Sequence, residues 1–156
     1  MARIDYYYDR NAPPANSIVV AVTAFIQDTD GRLLMIRRTD NDLYAIPGGA
    51  QEIGETISQT VVREVGEETG ITVDITGLIG VYSDPEHLIA FSDGEVRQEF
   101  SLCFRARPLS GELHTSSESK EVLWVEPRRL DDLNIHPSIQ LRIQHGFEYR
   151  AEPFYT

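Results

Sequence analysis

A chain of 156 residues with 41% hydrophobic side chains suits one globular domain with a proper core. Its 14 Lys and Arg against 25 Asp and Glu leave a net charge of −11, which argues against a nucleic-acid polymer as partner, because phosphate backbones need basic patches. No apolar run of 18 residues and no basic-then-apolar leader is present, so the expectation is a soluble cytoplasmic protein that enters no membrane.

In chain order, residues 1–16 read as an irregular N-terminal segment, with Tyr6-Tyr7-Tyr8 and Pro13-Pro14, either an arm that packs on the domain or on a partner subunit or a loosely held terminus. Residues 17–150 read as the single domain and 151–156 as a C-terminal tail. Ser17 to Gln27 is rich in β formers, and Asp28-Thr29-Asp30-Gly31 is a turn. Arg32 to Arg38 is expected to be the hairpin partner of that first strand, and Leu43 to Ile46 a short strand entering the Pro47-Gly48-Gly49 loop. A long helix follows. Beyond it, Thr72 to Ser83 reads as one or two strands, Glu95 to Arg107 as a long alternating strand and Glu121 to Val125 as another. Short helices are expected near Pro127 to Leu133 and Pro137 to Gln144. The lone Cys103 lies in an apolar-rich strand and reads as a buried thiol. His87, His114 and His145 have no metal-ligand spacing and are expected at the surface. A mostly β chain interrupted by one helix and closed by another fits an α+β sandwich with helices on its faces.

The long helix carries its own boundaries. Thr56 with Gln59 has capping-box spacing, Glu55 lies near the positive helix end, and Gly70 is the left-handed stop. Gly66 inside it costs about 1 kcal/mol relative to Ala. The acids Glu64, Glu67 and Glu68 crowd its last turn, where like charges repel and the macrodipole disfavours anions. Helical phase sets Glu64 and Glu68 within about 20° of the row through Ile57, beside Val61 and Val65. The acids therefore border the stripe that docks on a core. Such a cluster calls for a cation, and hard oxygen ligands suit Mg²⁺ or Mn²⁺.

From Gly49 to Ile71 the chain reads GAQEIGETISQTVVREVGEETGI, and this resembles the signature of the Nudix hydrolases, the MutT-like superfamily. All nine specified positions agree: Gly49, Glu55, Arg63, Glu64, Val65, Glu67, Glu68, Gly70 and Ile71. A chance match at a given start has a probability of about one in a billion at ordinary residue frequencies. The resemblance implies an α/β/α sandwich with a mixed central sheet, and a loop-helix-loop box. It also implies metal-dependent attack of water on the phosphorus of a nucleoside diphosphate linked to another moiety. Carried over residue by residue, it makes Glu64, Glu67 and Glu68 metal ligands, with the Gly49 carbonyl as a further one. Arg63 orients a box carboxylate, Glu55 being the nearest candidate. The general base is Glu67 or Glu68 in some relatives and a later-loop acid in others, for which Glu118 stands ahead of Glu121.

Pro85 follows Gly70 by 15 positions, which resembles the ADP-ribose pyrophosphatase-like subgroup. Tyr82, Phe91 or Phe100 could stack on a base or ribose, Arg97 and Arg37 or Arg38 could meet phosphate, and His136 opens the last helix. Three functions stay open: cleavage of ADP-ribose or a nucleotide sugar, cleavage of normal or oxidised nucleoside triphosphates, and nucleotide sensing without catalysis. The intact box favours the first two, and family resemblance suggests a homodimer.

Overall fold

The computed structural model of the protein describes residues 3–156. Its order is β1 (Arg3–Tyr7), β2 (Ser17–Ile26), β3 (Leu33–Arg38), β4 (Tyr44–Ala45), β5 (Gly48–Ala50), α1 (Ile57–Thr69), β6 (Ile71–Tyr82), β7 (His87–Phe91), β8 (Val96–Gly111) and β9 (Ser119–Val125). A 3₁₀ turn (Pro127–Asp132), α2 (Pro137–Glu148) and β10 (Phe154–Tyr155) close the chain.

The main sheet runs β1-β7-β8-β2-β5, with β6 also on β8 and β10 on β6; a second, three-stranded sheet runs β4-β3-β9. The main sheet is mixed, because β2 lies parallel to β8 and β10 parallel to β6 while its other pairs are antiparallel. Strand alternation divides the interior in two. From β2, Val22, Ala24 and Ile26 join Val61 and Val65 of α1, while Phe25 faces the other way, toward Ile143 of α2. The strand β8 divides likewise, Phe104 and Ala106 going to the α1 side and Cys103 to the α2 side. Helices therefore cover opposite faces, giving the α/β/α sandwich expected. Among the described residues, no helix is long and apolar enough to cross a membrane.

Three expectations are corrected. The Asp28–Gly31 turn forms, but β3 is not the hairpin partner of β2: beyond one bridge, Gln27 to Leu33, it pairs with β4 and β9 in the second sheet. The reason is occupancy, since β8 and β5 already take the two edges of β2. Of the N-terminal arm, positions 1 and 2 lie outside the described residues, while Arg3–Tyr7 is an edge strand paired with β7, itself a strand absent from the expectation. The tail contributes β10, which pairs with Gly80 and Val81 of β6.

Packing under α2 is tight. Phe25 is fully buried and meets Phe147 edge-on at 5.0 Å, and a Cβ on Gly146 would stand 2.3 Å from the Phe25 ring. Phe25→Ala is expected to lower unfolding free energy by about 3–5 kcal/mol. Urea denaturation checks this, and a loss below about 1 kcal/mol would show that α2 contributes little to the core.

Candidate active site

The box begins where β5 returns along β2, with Thr23 opposite Gly48 and Val22 opposite Gly49. Backbone approach there is too close for a side chain. A Cβ on Gly48 would lie 2.1 Å from the Val22 carbonyl oxygen, and one on Gly49 would lie 2.3 Å from the Glu64 carboxyl carbon. The two glycines thus let α1 bring its carboxylates against the loop backbone. Thr56 caps α1 through the reciprocal bonds with Gln59, and Gly70 ends it at φ 85°.

Arg63 ties the box together. Its Nε donates to Glu55 Oε2 at 2.6 Å, and one terminal nitrogen donates to Glu55 Oε1 at 2.9 Å and to the Ala50 carbonyl at 3.1 Å. The other donates to Glu64 Oε1 at 2.8 Å and to Glu67 Oε2 at 3.3 Å. Glu55 also accepts from the Glu52 N–H at 2.9 Å and the Thr60 hydroxyl at 3.1 Å. With four donors on two oxygens, its carboxylate is fully engaged, and the Arg63 bond holds it well below the usual carboxylate range. Glu55 is therefore a positioning group.

Glu64 and Glu68 are in a different state. Glu64 is 8% exposed and Glu68 2% exposed. Burial raises the pKa of both, for Glu68 to about 8, although Arg63 opposes the shift at Glu64 and the Gly48 N–H, 2.9 Å from Glu68 Oε1, opposes it at Glu68. Two buried acids raised together, beside glycine backbone, make an oxygen-only donor set whose charge Arg63 offsets by direct contact only at Glu64. This set fits a hard divalent cation. Glu67 points outward, its side chain 61% exposed.

The Glu118 loop is pinned to the end of α1. Buried Ser119 donates its hydroxyl to the Glu68 carbonyl at 2.7 Å, and Thr39 bonds the Ser117 and Glu118 carbonyls at 2.9 and 3.1 Å. A cleft of about 700 Å³ opens here, and Gly49, Glu64, Glu118, Arg97 and His136 all line it. Arg37 and Tyr82 do not. Arg37 is held by Asp42 and Glu121, and its neighbour Arg38 faces the cleft instead. Tyr82 is 5% exposed, packed in the α2-side core with its hydroxyl 2.7 Å from His145 Nδ1. The alternation of adjacent strand residues explains the first difference, and core packing the second.

Arg97 is forked onto Glu95 and lies 4.6 Å over the Phe91 ring, and His136 caps α2 by accepting from the Ser138 N–H. His87 is not at the surface: it is 6% exposed, 3.2 Å from Asp5. Of the pair Arg37 or Arg38 offered by the sequence it is Arg38 that lines the cleft, while Asp5 and Ser119, whose surroundings depend on distant strands, were passed over.

A family model described as NUDIX domain matches residues 18–143. A MutT-like protein of Streptomyces ambofaciens is 40% identical over 124 residues, covering 80% of this chain and 73% of the relative. An ADP-ribose pyrophosphatase of Methanocaldococcus jannaschii is 36% identical over 117 residues, covering 73% of this chain and 65% of that protein, just under two thirds of its length. Among solved structures, a NUDIX hydrolase from Nitrosomonas europaea superposes with a TM-score of 0.71 at 21% identity, covering 92% of this chain and 78% of the other, a likeness of fold.

In metal-free protein, Glu68 stays protonated up to about pH 8 when folded but ionises near 4.5 when unfolded. The folded state then binds the extra proton, so this group's stabilisation is complete below pH 4.5 and is lost as pH rises to about 8. In EDTA, Glu68→Gln is expected to remove up to about 1.4 kcal/mol per pH unit from the fall in stability across that window. Urea melts of both proteins at several pH values test it, and parallel slopes would refute it.

Proposed function

The chain belongs to the NUDIX family and is a hydrolase of it, and from that premise we propose that it cleaves the pyrophosphate of a nucleoside diphosphate linked to a second moiety, with ADP-ribose as the favoured substrate. The carrying observation is the buried Glu64 and Glu68 pair beside the Gly48-Gly49 backbone. Glu64, Glu68, the Gly49 carbonyl and outward Glu67 would hold Mg²⁺ or Mn²⁺. Such an ion, when bound, neutralises the charge of the pyrophosphate oxygens and makes phosphorus a better electrophile.

The remaining work belongs to the chain itself. Arg63 keeps Glu64 aimed and fixes the loop through the Ala50 carbonyl. Of the candidate bases Glu67, Glu68, Glu118 and Glu121, Glu118 is the one that lines the cleft, so we assign it the general base. Its carboxylate takes a proton from water as the oxygen bonds to phosphorus and the bridging P–O bond breaks. Arg38 and Arg97, each already paired with an acid, supply directional N–H donors for phosphate, and Phe91 an aromatic face for a base.

Support for the substrate comes from the likeness to the ADP-ribose pyrophosphatase of Methanocaldococcus jannaschii and from cleft size, which lies in the range for small-molecule ligands. With ADP-ribose, the products are AMP and ribose 5-phosphate. A panel of ADP-ribose, other nucleotide sugars, dinucleoside polyphosphates and normal and oxidised triphosphates, run with Mg²⁺ and products separated by chromatography, is expected to show AMP from ADP-ribose first. Monophosphate and pyrophosphate from a triphosphate ahead of it would overturn the assignment.

Glu118→Gln is expected to lower kcat by about 10²–10⁴ with little change in KM. Turnover within a few-fold of the parent would move the base to Glu67.

A further inference from the structure

The cleft contains a second group of metal-capable side chains that pyrophosphate cleavage does not use. Asp5 comes from β1, His87 opens β7 and His136 caps α2, so three elements distant in sequence converge. His87 Nε2 lies 3.2 Å from Asp5 Oδ1, and one donor atom from each of the three residues lies within 4.8 Å of the others. The two imidazoles face each other at 5.3 Å and 15°, with the Tyr7 ring edge-on to both at 5.4 and 5.3 Å. The side chains of His87 and Asp5 are only 7% and 14% exposed.

From this convergence we propose that Asp5, His87 and His136 bind a divalent transition-metal ion of the zinc and cobalt class, at a site separate from the oxygen-only box. Two imidazole nitrogens and one carboxylate oxygen form a borderline donor set, which prefers such ions to Mg²⁺. Outer contacts hold the donors in place. Ligation by His136 through Nε2 puts its proton on Nδ1, which then donates to the Ser138 hydroxyl 2.8 Å away and gives up the cap bond from the Ser138 N–H. Arg3 grips both oxygens of Asp5, at 3.1 and 2.7 Å, orienting the carboxylate while weakening its pull on a cation. Ligands on a tetrahedral ion with bonds of about 2.0–2.1 Å stand about 3.3 Å apart. Asp5 and His87 already have that spacing, and His136 has to turn its ring out of the stack with His87 to reach it. Three protein ligands leave a tetrahedral ion one further position, and all three residues line the cleft.

The alternative is a plain Asp5–His87 ion pair that fastens the edge strand and takes up no metal. Co²⁺ distinguishes them, because its visible absorption reports nitrogen ligation in a site of low coordination number. Full-length protein saturated with Mg²⁺ is titrated with Co²⁺, and bands growing to one equivalent and bleached by Zn²⁺ are expected. His136→Asn keeps a side-chain oxygen suited to the helix cap but removes the imidazole. It should weaken Co²⁺ binding about tenfold or more, with an unchanged circular dichroism spectrum. Glu67→Gln in the box should leave the bands in place. In wild-type protein, added Zn²⁺ should shift the imidazole ¹⁵N resonances of His87 and His136, which requires no variant. Absence of bands at millimolar Co²⁺, equal binding by His136→Asn, or unmoved histidine resonances would each overturn the site.

Discussion

Arg63 is the interaction on which the site depends. Its five donors are divided among Glu55, Glu64, Glu67 and the Ala50 carbonyl, joining the loop before α1 to the last turns of that helix. A planar guanidinium can hold several acceptors in a fixed fork, which a lysine cannot do. Without it, the acid cluster has only its mutual repulsion and an unfavourable helix end. With it, the acids divide into two kinds. Glu55 becomes a saturated structural acceptor, while Glu64 keeps one oxygen outside the fork and Glu68 lies beyond Arg63 altogether, bonded only to the Gly48 N–H. Arg63 thus organises the box while leaving the most buried carboxylate uncompensated, an imbalance that a divalent ion would correct.

The backbone does the complementary work. Gly48 and Gly49 bring β5 against β2 and the Glu64 carboxylate against the loop, so helix and sheet meet with no side chain between them. At the far end, the Ser119 hydroxyl accounts for the Glu68 carbonyl, one of those a helix C-terminus leaves open, and in doing so fixes the start of β9 beside the box. The Glu118 loop is consequently held at both ends, by α1 through Ser119 and by Thr39 beyond β3. A polar group aimed into the cleft from such a loop has a defined position even though it is exposed.

What could be read from the sequence was local. The α1 boundaries, the Thr56–Gln59 capping box and the Gly70 stop are consequences of residues a few positions apart, and all three are present. The phase of Glu64 and Glu68 is local too, and it places both at the buried edge. Strand partners were not legible, because pairing is chosen by elements far away: β3 went to β9, and the polar Arg3–Tyr7 segment found β7 80 or more residues on. The site's outer wall inherits that gap. His87 reads as a surface histidine until β1 lays Asp5 beside it, and Arg37 and Arg38 differ only in which side of β3 they occupy.

An acidic chain acting on an acidic substrate needs its charges sorted locally. The cleft is lined by Arg3, Arg38, Arg97 and Arg142 but also by Asp5, Asp40, Glu52, Glu64, Glu99 and Glu118, so its own field does not favour a pyrophosphate. Three of the arginines are already committed, Arg3 to Asp5, Arg38 to Asp40 and Arg97 to Glu95, and each pair is close to neutral toward an approaching anion. Attraction must therefore come from cations not encoded in the chain. On the proposed reading, a divalent ion among the box carboxylates would reverse the sign of the cleft beside them and leave it acidic elsewhere. Binding and turnover then share one requirement, and a polyanion too long to place its phosphates at that point meets repulsion along the rest of the surface.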